Sequence, residues 1–330
     1  MDGPRAIHAT ASERSAQHYA PPNIQAALGG LHQDGLLLLK NIIDTSHIDR
    51  LRAAMSAETH SLLTASPRAN LYNQGVNSNI LQCPPLDRED CLFADVYFNP
   101  FVCQLANAYL GSRPIWNFTT GNNALARTEG LRQPVHKDIT FADHPTAPFY
   151  LIANMPLSNF SPANGATEFW LGSHAHTTSS DQIPCTEETK YRASQIAGYD
   201  PTCEVRPHIV EARRKVRPPV QVACERGDVL IRDLRTWHAG MPNTSDEDRI
   251  MVAVGYQAPW YANHTQRLYV PVRHANFFLS AAGRREVEVR ATLVEEEEEE
   301  KGVLWRNYGF AFEPSGKGEV VLSSCVKARL

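Results

Sequence analysis

PVHKDITF, residues 134–141, carries an unusual alternation. Read as a β-strand, it buries Val135, Ile139 and Phe141 on one face and gathers His136, Asp138 and Thr140 on the other, because successive strand side chains point to opposite sides. An imidazole and a carboxylate aimed the same way from a rigid support are two ligands for a metal ion. Two ligands hold a metal poorly, so a third is expected elsewhere. RDLRTWHAGMPNTSDEDR, residues 232–249, supplies His238 just past the apolar strand DVLIRDL, where a sheet edge brings it toward the first pair. Two histidines and one carboxylate on one face of an octahedron leave three positions open, the arrangement of non-haem Fe(II) oxygenases. An HxD pair alone is common on protein surfaces; Arg249 separates this one from the rest. It opens the next strand, RIMVAVGYQ, so an antiparallel return aims it into the same cavity. Its guanidinium fork suits bidentate pairing with a carboxylate, such as the far end of 2-oxoglutarate.

Outward from that stretch, the chain divides by pattern. Residues 1–20 are polar and read as a disordered N-terminal segment, ahead of a single domain over 21–330. Its first part, 21–114, is helical: a short helix in NIQAALGGLHQDG, an apolar strand at 36–40, a helix from Asp44–Ser46 through HIDRLRAAMSAETHSLL, and one further amphipathic helix in FADVYFNPFVCQLANAYLG, stopped by Gly111 and Pro114. From 115 to 262 short strand-like segments dominate (IWNFTTG, VHKDITF, PFYLIANMPL, GATEFWLG, DVLIRDL, RIMVAVGYQA), which argues for a β core of sandwich or barrel type. A polar insertion over about 174–220 interrupts them and reads as a lid, and residues 263–330 form a C-terminal extension. The block VEEEEEEKG, 294–302, reads as a solvated charge run.

Composition narrows the function. With 330 residues and 42% hydrophobic content the chain can bury a large core. Its 32 basic and 36 acidic residues give a formal charge of −4, without the basic excess of a nucleic-acid or anionic-membrane binder, so a small-molecule substrate is expected. Seven scattered cysteines with no CxxC pair point to a reducing, cytoplasmic setting. No apolar run approaches the roughly 18 residues of a transmembrane helix, and no signal-peptide core is present. Ala328-Arg329-Leu330 resembles a relaxed peroxisomal import tripeptide, which makes peroxisomal import an alternative. A homodimer is compatible with all of this.

HKD, NMPLSNFSPANGATEFWLGSH and RDLRTWHAGMPNTSDEDRI, in that order, resemble the successive signatures of the phytanoyl-CoA dioxygenase family of Fe(II)/2-oxoglutarate oxygenases. HQDGLLLLKNII and NPFVCQLANAYLG are similar to that family's N-terminal elements, so the resemblance spans roughly residues 25–260. It implies a fold that is mainly β with flanking helices, a double-stranded β-helix or cupin-like distorted jelly roll. It also implies Fe(II), 2-oxoglutarate and O2 as cofactors, His136, Asp138 and His238 as iron ligands, and Arg249 as the co-substrate anchor. Many relatives carry a small hydroxyl residue two places after that arginine, where this chain has Met251, so a second contact to the far carboxylate is expected from Gln133, Asn154 or Thr167.

A carboxylate at position 138 leaves no coordination position for halide, which disfavours halogenation. Hydroxylation, desaturation, epoxidation and rearrangement all remain open. NLYNQGVNSNILQCPPL, 70–86, is neither periodic nor apolar enough for a core element and is expected at the substrate mouth through Asn73, Asn79 or Gln82. Its style resembles family members that tailor fungal natural products more than those acting on acyl-CoA. Two other readings stay open at the sequence level: a cupin-like metal isomerase or hydrolase, and a non-catalytic jelly-roll binding protein.

Overall fold

The computed structural model describes residues 3–64, 72–75, 77–139, 145–195, 200–263 and 268–299. In chain order the strands that build the molecule's centre are β1 (Arg5–His8), β2 (Leu36–Lys40), β3 (Asn79–Gln82), β4 (Ile115–Ala124), β5 (Tyr150–Pro156), β6 (Glu168–Phe169), β7 (Val220–Gln221), β8 (Val229–Asp233), β9 (His238–Ala239) and β10 (Met251–Gln257). The main sheet runs β1-β2-β8-β5-β10-β4 and ends on the short strand Glu288–Val289, with β3 added to β4. From β2 through β8, β5 and β10 to β4 every neighbour is antiparallel. A smaller sheet, β7-β6-β9, faces it.

Strand periodicity sorts the side chains into two layers. In β2, Leu37 and Leu39 enter the large core shared with Leu31, Leu51 and Leu105 of the helices, while Leu36 and Leu38 pack between the sheets with Phe169 and Val222. The same alternation runs through β8, where Val229 and Ile231 face the helices and Leu230 faces inward. In β10, Val252, Val254 and Tyr256 face the helices and Ala253 faces inward. Each leucine so buried contributes about 1.5–3 kcal/mol, so the helix layer fixes which face of every strand looks into the space between the sheets.

Three sequence expectations are corrected. The N-terminal segment is ordered, not disordered: β1 adds in parallel to β2, and the helix Ala11–Ala16 is closed by a reciprocal Thr10/Glu13 capping box. Main-chain pairing and capping hold a polar sequence that has no apolar stripe to betray it. The helix expected across 93–111 is two, Ala94–Tyr97 and Pro100–Leu110. Pro100 pushes Asn99 out of the helical region, and the Asn99 side chain caps the second piece by accepting from the backbone N–H groups of Phe101 and Val102. PVHKDITF is not a full strand: His136 alone forms bridges, to His238 and Glu204, and Thr140 and Phe141 lie outside the described residues. Ala328-Arg329-Leu330 also lies outside them. Among the described residues no helix is long and apolar enough to cross a membrane.

Candidate metal centre

His136 and His238 exchange backbone hydrogen bonds, each N–H reaching the other's carbonyl at 2.9 Å, so their side chains leave the same point on the same face. Asp138, two residues on, shares that face. Metal-binding atoms of His136, Asp138 and His238 all lie within 4.8 Å of one another. One Asp138 carboxylate oxygen is 3.7 Å from His136 Nε2 and the other 3.6 Å from His238 Nε2.

The tautomer is set from behind. His136 Nδ1 lies 2.8 Å from the Pro134 carbonyl and His238 Nδ1 3.1 Å from that of Thr236, so in neutral imidazoles Nδ1 donates and each Nε2 lone pair is left facing Asp138. Burial lowers the pKa of both histidines, that of His238 well below its usual value, which keeps them neutral and able to ligate. Burial alone would raise the Asp138 carboxyl, yet the Arg232 guanidinium outweighs it and holds the group below the usual carboxylate range. Arg232 Nη2 donates to Asp138 Oδ2 at 2.6 Å. This partner escaped the sequence reading, although alternation in DVLIRDL puts Arg232 on the inward face with Leu230.

Asp138, His238 and Arg232 line a cavity of about 220 Å³, with His136 packed against the first two. Arg249 lines it from the edge of β10, sharing the inward face with Met251 and Ala253, while Ile250 and Val252 sit in the helix-side core. Its exposure is 1%, its guanidinium carbon lies 4.6 Å over the Phe160 ring, and its Nε and Nη1 have no hydrogen-bond partner among the described residues. Burial pushes its pKa down to about 10. A buried guanidinium facing an aromatic ring, with donors unmet, is a group built for an anion.

Asn154 and Thr167 line the same cavity, and neither side chain is hydrogen-bonded to a described residue. Gln133 lines it too, but its amide is spent: Oε1 accepts from Gly240 N–H at 2.7 Å and Nε2 donates to the Asn73 carbonyl at 2.7 Å. Asn73 and Asn79 lie on the wall with Asn122, Gln74 and Asp200. Gln82 does not: it points behind β3, where its amide meets the Met55 carbonyl, Glu58, Thr59 and Asn123. Successive strand residues alternate sides, so Asn79 and Leu81 reach the cavity while Gln82 turns away from it. Asp200 and Cys203 bring the 174–220 insertion to the cavity wall.

Two imidazoles with free Nε2 atoms and one carboxylate suit a divalent transition metal with open positions, and a separate unpaired guanidinium in the same cavity suits a chelating dicarboxylate. The profile of the Phytanoyl-CoA dioxygenase (PhyH) family matches residues 31–251. Among solved structures, the chain is similar to the epimerase SnoN in complex with Fe3+, alpha ketoglutarate and nogalamycin RO, at 19% identity and a TM-score of 0.51 over 72% of this chain and 84% of SnoN. It is also similar to EvdMO1, at 20% identity and a TM-score of 0.50 over 72% of this chain and 50% of EvdMO1, so the match spans half of that protein.

Proposed function

Because this chain belongs to the phytanoyl-CoA dioxygenase family of 2-oxoglutarate-dependent non-haem iron enzymes, we propose that it oxidises a small organic metabolite in natural-product biosynthesis, releasing succinate and CO2. The oxidation is a hydroxylation, desaturation, epoxidation or rearrangement. The observation that carries this reading is the convergence of His136, Asp138 and His238, the last two of them lining the cavity that also holds the unpaired Arg249.

Bound iron with 2-oxoglutarate supplies the activation of O2. The chain's own residues do the rest. His136, Asp138 and His238 hold the metal through Nε2 and carboxylate oxygens. Arg232 keeps Asp138 ionised and occupies one of its two oxygens, which favours coordination through the other. Arg249 takes the far carboxylate of the co-substrate, Asn154 and Thr167 add neutral hydrogen bonds, and Phe160 excludes water from beneath the guanidinium. Gln133 instead positions the wall by tying the turn after β9 to the 72–75 segment. Asn73, Asn79 and Asn122 offer amide donors and acceptors, which match a substrate carrying carbonyl, amide or hydroxyl groups.

Succinate release across a panel of such metabolites tests the proposal. Release that requires Fe(II), 2-oxoglutarate and O2, rises with one metabolite and vanishes in Asp138→Ala is expected. Turnover that survives chelation of the metal or omission of 2-oxoglutarate would overturn it.

A further inference from the structure

On the far side of the two ligand segments, three buried residues meet at one oxygen atom. The reciprocal backbone pair between His136 and His238 turns both imidazoles to the Asp138 side. Their neighbours Lys137 and Trp237 therefore project from the opposite face. Lys137 is fully buried, and Trp237 is 4% exposed. Lys137 Nζ donates to Thr177 Oγ1 at 3.0 Å, and Trp237 Nε1 donates to the same oxygen at 2.8 Å. Lys137 Nζ also reaches the Thr178 carbonyl at 2.8 Å, and Trp237 N–H reaches Ser173 Oγ at 2.8 Å. Thr177 is itself 4% exposed and belongs to the start of the 174–220 insertion.

We propose that Thr177 is a positioning residue for the metal centre, whose hydroxyl oxygen clips the two ligand-bearing segments together from the face opposite the imidazoles. Among the described residues, one bridge with its two backbone bonds joins those segments at the ligands, and the Gln133 N–H adds a bond to the Gly240 carbonyl at 2.9 Å to one side of it, so the side chains beyond the ligands are held by no strand ladder. A shared acceptor on the outer face supplies that hold, because tilting either segment stretches a bond between buried groups. The two lone pairs of the hydroxyl are filled by donors from opposite segments. The insertion is thereby coupled to the metal: besides Thr177, it accepts the Lys137 N–H at the Cys203 carbonyl and donates the Val205 N–H to the Val135 carbonyl. The inference rests on the metal reading of His136, Asp138 and His238.

Mn(II) affinity of the full chain, measured by electron paramagnetic resonance, tests it. Groups that orient metal ligands from behind typically affect affinity 10- to 100-fold, so Thr177→Val should bind Mn(II) about 10-fold more weakly, and Thr177→Ser, which keeps the oxygen, within about 2-fold of wild type. Thr59→Val is the matched control: it deletes another buried threonine hydroxyl, bonded to Gln82 and Met55 behind β3, and should lower the melting temperature with Mn(II) affinity unchanged. Folded Thr177→Val with wild-type affinity, or Thr59→Val weakened as much as Thr177→Val, would overturn the proposal. Should Thr177→Val not fold, Trp237→Phe removes one donor alone; weakened binding supports the clip and unchanged binding overturns it. A folded wild-type chain that binds no Mn(II) removes the metal reading, and this inference with it.

Discussion

At the scale of single residues, the site is decided by which polar groups are left without partners. Arg249 is the plainest case: it is as buried as the leucines around it and makes a ring contact in place of an ion pair. A charge-assisted hydrogen bond to a carboxylate is worth about 1.5–3 kcal/mol, so Arg249→Ala should raise the 2-oxoglutarate concentration needed for half-maximal succinate release roughly 10- to 150-fold. Arg249→Lys should recover little of this, since a point charge cannot reproduce the planar fork. An unchanged 2-oxoglutarate requirement in either variant would remove the assignment. These residues were legible in the sequence because each falls on a period of two: His136 with Asp138 around a single bridge, and Arg249 with Met251 and Ala253 at the edge of β10. Arg232 was equally legible by alternation and was missed, because in DVLIRDL it reads as an ordinary polar interruption. Gln82 was misread for the complementary reason. A polar residue in an irregular segment gives no sign of its facing until β3 is seen to pair with β4.

At the scale of elements, two junctions carry more than their length implies. Gly35 ends the helix Pro21–Asp34 with φ of 69°, and a Cβ there would come within 2.5 Å of His174 Nδ1 and Thr236 Oγ1. Thr236 in turn holds His238 through its carbonyl. Gly35→Ala should therefore lower the melting temperature and weaken metal binding together, unlike a substitution that strains only the helix. Intact Mn(II) affinity in a destabilised Gly35→Ala chain would show that the turn and the ligand are uncoupled. Asn99 caps Pro100–Leu110 and also donates to the Ile42 carbonyl, so Asn99→Ala should cost about 1–2 kcal/mol of unfolding free energy in urea, with metal affinity unaffected. The strands β2, β4, β5, β8 and β10 could be placed from apolar runs between turn residues. The break in the helix is a local signal, Asn99-Pro100, that the apolar stripe overrode, whereas β1 could not be placed because its edge pairing depends on a strand far along the chain.

At the scale of the whole molecule, the fold is a helix-backed sheet facing a smaller one, and the chemistry occupies the space between them. Among the described residues three imidazoles are buried, His136 and His238 at the site and His174 beside Gly35, and burial lowers their pKa values from the usual 6.5. As pH falls through 6.5, the unfolded chain takes up protons that the folded chain refuses, so stability must fall on acidification. Asp138, also held low, adds a further loss of the same sign at lower pH, as the unfolded carboxyl protonates first. The melting temperature of the metal-free chain should accordingly drop between pH 7 and pH 5, and the drop should shrink in His238→Asn. A flat profile would mean that these histidines are not buried as described.

The central claim, that three side chains grip iron within reach of an unpaired guanidinium, is tested most directly by anaerobic absorption spectroscopy. Adding Fe(II) and then 2-oxoglutarate to the wild-type chain should produce a weak visible charge-transfer band. The band should be absent in His238→Ala and should need far more 2-oxoglutarate in Arg249→Ala. A correctly folded wild-type chain that gives no band under these conditions would contradict the account.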